Sequence, residues 1–190
     1  MSSNPDQDPW VNVRTRHGLS GDEVISALQK EIRRGQTENA ALLAYEMITT
    51  SPEMEAKLWQ RLLAICVEDI GWGEVQAPIL VYTLYQMHQN FGRDAGERRL
   101  FAIHAVRYLC ACVKDRSSDE MASWIKQQVE SGQLLPTIPD YALDMHTGRG
   151  HQMERGLRHF YEEAAKVQPE LPDRDVTYQQ RLMGLLKQNE

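Results

Sequence analysis

Three arginines, three histidines and three glycines fall between His146 and His159 (HTGRGHQMERGLRH), in a chain whose net charge is −6. Such a concentration of donors could hold an anion. A glycine-rich turn that opens a helix presents free N–H groups, and Arg149 and Arg155 could clamp a phosphate or carboxylate. His146, His151, Arg158 and His159 complete the candidate set. The simpler reading is a solvated loop whose arginines pair with Glu162, Glu163 or Asp140. Glu68 and Asp69 are adjacent carboxylates at a helix end. Acid/base work would need both on one substrate, and adjacent helical residues diverge, so capping or an ion pair explains them better.

The remaining chemistry-bearing residues are isolated. His88 and His104 lack the i+4 His or carboxylate partner that metal sites use, and no Glu-x-x-His pair occurs. Cys66, Cys110 and Cys112 are odd in number and lie in apolar surroundings, which favours reduced, buried thiols over a disulfide or a Cys-x-Cys metal site. The phosphate-binding pattern Gly-x4-Gly-Lys-Ser/Thr is absent. So are Gly-x-Gly-x-x-Gly after a strand, His-Glu-x-x-His, the EF-hand loop and Gly-x-Ser-x-Gly. The expectation is a protein that is not an enzyme, with no cofactor, no metal and no catalytic residue.

The elements that would position these residues are helices. Val24, Leu28 and Ile32 recur at i+4 behind the capping pattern Ser20-x-x-Glu23, and Gly35 can stop that helix. Thr37 can open a second helix with Ala40, Leu43, Ala44 and Met47 on its buried face. A third starts at Ser51-Pro52 and runs to Gly71, with Met54, Leu58, Leu62 and Ile65 as its stripe. Pro78 opens a fourth, Glu97 to Val113 makes a fifth, and a sixth follows Ser118 with Trp124, Ile125 and Val129 as a modest core face. Pro136 and Pro139 interrupt regular structure, a seventh helix is expected over Gln152–Val167, and a last one over Thr177–Lys187. No period-2 strand stands out. The fold class is all-α, a multi-helix bundle of successive helical hairpins joined by short loops. We divide it into a flexible leader (1–17), a helical bundle (18–116) and a C-terminal helical extension packed on the bundle (117–190), the last two able to form one continuous domain. Most of the tryptophans and tyrosines are expected in the core.

Charge and hydropathy exclude other classes. A net charge of −6 argues against sequence-blind DNA binding by the whole surface, leaving direct DNA binding to a local basic patch. No stretch approaches the roughly 18–20 apolar residues of a membrane span. The polar, acidic start MSSNPDQDPW has neither a basic nor an apolar signal region, which points to the cytoplasm and to a stand-alone protein.

Two runs carry a family resemblance. GDEVISALQKEIR (Gly21–Arg33) and LWQRLLAICVEDIG (Leu58–Gly71), the latter followed by Gln76-Ala-Pro78, resemble the helical region C-terminal to the ATPase core in the RarA/MgsA family. These are AAA+ replication-associated recombination proteins related to clamp loaders. The spacing between the runs fits, and the likeness is good from about Gly18 to Arg116. Beyond Pro136 it thins, because the family's Gly-Tyr-Gly-x-x-Tyr-x-Tyr-x-His pattern lacks its tyrosines here. The resemblance implies a clamp-loader-like collar, a homotetramer, and a setting of DNA replication and repair with replication or repair proteins or a separate ATPase as partners. It carries over no catalytic residue, because the ATPase elements belong to a part this chain lacks. Val24, Ile25, Leu28, Ile65, Glu68, Asp69 and Gly71 match the family pattern as structural positions. The function expected is a non-catalytic assembly module that self-associates and docks onto replication or repair proteins; the alternative is an anion- or nucleic-acid-binding protein using residues 146–159.

Overall fold

The structure is a computed structural model that describes residues 8–188. Their regular structure is helical, with a single isolated bridge, Arg14 to Ser20, outside the helices. The expected all-α class is what is found. The chain divides into two compact units, one ending at Ser131 and the other beginning at Gly132.

In the first unit, α1 (Gly21–Arg33) and α2 (Thr37–Thr50) form a hairpin across a three-residue connection. α3 (Pro52–Ile65), α4 (Ala77–His88) and α5 (Gly96–Ala111) follow, and then α6 (Ser117–Glu130). α2 packs against α1, α3 and α5, and α4 packs against α5. The sequence stripes explain the core. Val24, Leu28 and Ile32 of α1, Ala40, Ala44 and Met47 of α2, and Leu58, Leu62 and Ile65 of α3 are all removed from solvent. α5 buries Ala102, Ala105, Val106 and Leu109, at the i, i+3, i+4, i+7 spacing of one face. Small residues on both α2 and α5 permit a close approach of the two helices.

Three expectations are corrected here. Residues 8–17 of the expected flexible leader are ordered, while residues 1–7 lie outside the described residues. A short 3-10 turn, Pro9–Asn12, is capped by Asp8, Trp10 packs on the core, and Thr15 is buried. Glu46 fastens this segment: its carboxylate accepts from the His17 backbone N–H at 2.9 Å and meets His17 Nδ1 at 2.6 Å. Second, Ser20 starts α1 without capping it, because its hydroxyl bonds Asp22 at 2.6 Å instead. Ser51 does cap α3, accepting from the Met54 N–H at 3.1 Å. Third, α6 has no buried residue at all.

In the second unit, α7 (Gly148–Gln152) and α8 (Leu157–His159), the latter continuing into a π turn at Phe160–Ala164, replace the single helix expected over Gln152–Val167. The interruption falls at Glu154, whose φ of 56° is incompatible with a continuing helix. α9 (Thr177–Gln188) follows the expected span closely.

Candidate functional site

The carboxylates Glu68 and Asp69 sit where α3 loosens into a π turn, Cys66–Ile70. The wider turn changes the side-chain directions. Instead of diverging, both carboxylates meet one cluster of cations and amides. Asp69 is fully buried. Its Oδ1 accepts from Arg33 Nε and from Arg116 Nη1, each at 2.5 Å, and its Oδ2 accepts from Gln29 Nε2 at 2.9 Å. Glu68 accepts from Gln29 Nε2 at 2.6 Å and from Arg61 Nη2 at 3.2 Å. Burial pushes the Asp69 carboxyl up, but the hydrogen bonds from Arg33, Gln29 and Arg116 outweigh it and hold the group below its ordinary value. The acid/base reading fails on access: Asp69 meets no solvent, and its oxygens are engaged by three side chains. The ion-pair reading is the one the geometry supports.

This junction ties α1, α3 and the start of α6 together. The Asp115 N–H donates to the Asp69 carbonyl at 3.0 Å, and the Asp115 side chain accepts from the Trp72 N–H at 3.2 Å. Gly71 lies in the crossing with φ 50° and ψ −128°. The other family-pattern residues are packing positions: Val24, Leu28 and Ile65 are buried, and Ile25 is half-buried against the core. Sequence reasoning missed Gln29, Arg61 and Arg116 as partners. Arg33 stands in the last turn of α1, where the helix dipole favours a cation, and nothing in the sequence marks Asp69 as its partner.

The residues of the 146–159 segment are mostly engaged locally. Arg155 Nη1 donates to the carbonyls of Asp140 (2.6 Å) and Leu143 (2.8 Å), and Nη2 donates to both carboxylate oxygens of Asp140 at 2.8 and 2.7 Å. Arg158 Nε pairs with Glu162 at 3.1 Å. His146 Nδ1 faces Asp144 at 3.1 Å, and its ring meets Phe160 edge-on at 5.2 Å. His159 is half-buried, and Arg149 and His151 are exposed. Gly150 is buried against the backbone of Asp144, which any Cβ there would overlap. That requirement accounts for one of the glycines without a ligand. Arg155 is therefore a clasp on the turn at Asp140–Leu143. Arg155→Ala should speed amide hydrogen exchange across residues 140–155 by about tenfold or more, the loss of a multiply bonded cation, while exchange in α1–α5 stays unchanged. Unchanged exchange in both regions would show that the clasp does not hold this turn.

α6 presents a third feature. Met121, Trp124, Ile125 and Val129, spaced along one helical face, are 62%, 53%, 42% and 46% exposed. The expected core face of this helix is thus open. The expectation that most of the tryptophans and tyrosines lie in the core is corrected as well: Trp59 is buried, but Trp72, Trp124, Tyr45 and Tyr82 are exposed, Trp72 at 75%. The cysteines are free; Cys66 and Cys110 are buried, and burial pushes the Cys66 thiol up to about 12.

Comparison with known proteins supplies the family. Residues 35–181 match the model of the MgsA AAA+ ATPase C-terminal family. The chain belongs to that family. It is also 30% identical, over 136 residues, to the replication-associated recombination protein A of Haemophilus influenzae, a match covering 70% of this chain and 28% of that protein. The chain therefore spans well under half the length of that relative. The family match begins after the Gly21–Arg33 run and extends well past Pro136, so membership of the MgsA C-terminal family takes in the second unit as well. Among the described residues no helix is long and apolar enough to cross a membrane.

Proposed function

We infer that this chain is a non-catalytic assembly module, which self-associates, with a tetramer as the favoured state, and docks onto proteins of DNA replication and repair. The observation that carries the reading is the open apolar stripe of α6. A helix with no buried residue that nevertheless sets Met121, Trp124, Ile125 and Val129 along one face is built to be covered. Membership of a C-terminal family of AAA+ ATPases, and the name of the Haemophilus relative, support the replication setting. A cytoplasmic location and a separate ATPase among the candidate partners are part of the same proposal. The fully engaged carboxylate cluster and the absence of a phosphate-binding loop from the sequence support the non-catalytic half. The anion-binding alternative draws less from the geometry, since Arg155 and Arg158 are already paired.

Light scattering after size exclusion should return a multiple of the 21.8 kDa chain mass, four in the favoured case. Trp124→Asp combined with Ile125→Asp should shift the particle to the monomer mass without loss of helix content, since neither side chain belongs to the core. A strict monomer for the unmodified chain at tens of micromolar would overturn self-association. Turnover of ATP by the pure chain would overturn the non-catalytic reading.

A further inference from the structure

The composition of α4 is unusual for a helix that reaches solvent. Its 12 residues, Ala77–His88, hold no Asp, Glu, Lys or Arg. A helix that is apolar all round is normally enclosed. Here the outer face is open: Ile79, Tyr82 and Met87 are exposed. On α5, which packs against it, Leu100 and His104 are exposed one turn apart on one face. An apolar groove of about 290 Å³ lies between the two helices, lined by Leu84, Phe91, Glu97, Leu100, Phe101 and His104. The two phenylalanine rings meet there, with centroids 5.4 Å apart.

The same unit carries a second uncovered apolar feature, the α6 stripe of Met121, Trp124, Ile125 and Val129. Side chains at such helical spacing are the anchors with which a helix enters a groove. α6 does not fill the groove of its own chain. Its stripe is open, and its start is fastened to Asp69, at the end of α3, by Arg116 and Asp115. Charge decides which pairing of copies is favoured. α6 carries three carboxylates and one lysine, α5 carries three arginines and one glutamate, and α4 carries none of these. Two α6 helices set stripe to stripe would bring like net charges together, whereas α6 against the α4–α5 hairpin brings opposite ones. The unpaired side chains have the same sense. Arg107, on the face of Leu100 and His104, meets no carboxylate within ion-pair distance among the described residues, and Glu120 of α6 meets no cation there. Trp124 is the largest side chain of the stripe and suits the apolar lining, where Glu97 can receive its indole N–H.

We propose that self-association is head-to-tail: the α6 stripe of one copy lies in the α4–α5 groove of the next. This rests on the self-association reading above and names the surface that covers the stripe. A contact between two different patches is heterologous, so each copy uses both, and the set closes into a ring, of four copies in the favoured state.

The test is light scattering after size exclusion on the full chain, with helix content followed in parallel. Leu100→Asp combined with His104→Asp alters two exposed residues of the groove and should bring the particle down to the 21.8 kDa monomer mass with helix content retained. If that pair loses helix content, His104→Asp alone reads the same groove. A mixture then separates the two modes of contact. The groove variant keeps an intact stripe, and the variant with Trp124→Asp and Ile125→Asp keeps an intact groove. Mixed at several hundred micromolar, the two monomeric chains should form a particle of twice the monomer mass. A stripe-on-stripe contact allows no such complementation. A groove variant that assembles like the unmodified chain, or a mixture that stays at the monomer mass, overturns the head-to-tail contact while leaving self-association through α6 in place. A strict monomer for the unmodified chain overturns both.

Discussion

Asp69→Ala will destabilise the first unit by about 3 kcal/mol, toward the lower end of what breaking a buried ion pair costs. The lower end applies because Arg33 and Arg116 keep 29% and 30% of their side chains exposed and can be rehydrated, whereas Asp69 has no exposure. The substitution also removes the acceptor that connects α1 to the head of α6. Urea denaturation followed by helix signal measures it. Glu68→Gln, at a partly exposed partner of the same cations, should cost well under half as much. The pH dependence carries a sign. The folded Asp69 carboxyl lies below its unfolded value, so its stabilisation is complete above the unfolded carboxyl range near 4 and disappears as pH falls through the folded value. Asp69→Asn should therefore flatten the acid limb of the stability profile. An acid limb identical to that of the unmodified chain would sink the claim that this carboxylate fastens the helices.

Gly71→Ala will be comparably severe, at about 3 kcal/mol or more, because two costs add. A backbone at φ 50° and ψ −128° is one that residues with a Cβ rarely adopt, worth about 1–3 kcal/mol by itself. A Cβ there would also overlap the carbonyl oxygen of Asp115, and the obstacle is backbone, which does not swing aside as a flexible side chain does. Relief would require the chain at Asp115 to withdraw, and with it the bond from Asp115 N–H to the Asp69 carbonyl. Thermal unfolding and the urea midpoint measure the loss. Gly92→Ala is the matched control: its φ is not in the positive range and nothing lies near its Cβ, so it should be close to neutral. Equal effects at the two positions would mean that the crossing of residues 71–73 over 113–115 contributes little.

The two substitutions test one structural idea from different sides. The π turn at Cys66–Ile70 aims two carboxylates at guanidiniums from α1, α3 and α6, and Gly71 lets the chain cross the strand of backbone that brings Arg116 there.

The helices of the first unit were determined by the sequence alone, because apolar residues at i, i+3 and i+4 can be buried together only on a helix and the short Gly- and Pro-marked breaks leave little freedom between them. Leu28, Leu58, Leu62 and Ile65 could be assigned to the core from spacing, while charge offered Glu162, Glu163 or Asp140 as partners for the arginines of residues 146–159 without saying which pairs with which. Tertiary structure alone decided the rest. That adjacent Glu68 and Asp69 share partners depends on a π turn with no sequence mark, and Gln29 and Arg116 reach them from 40 and 47 residues away. Whether an amphipathic stripe is core or surface is likewise set by what packs against it: the spacing of Trp124, Ile125 and Val129 is the same in either case, and only the arrangement of the neighbouring helices leaves it open.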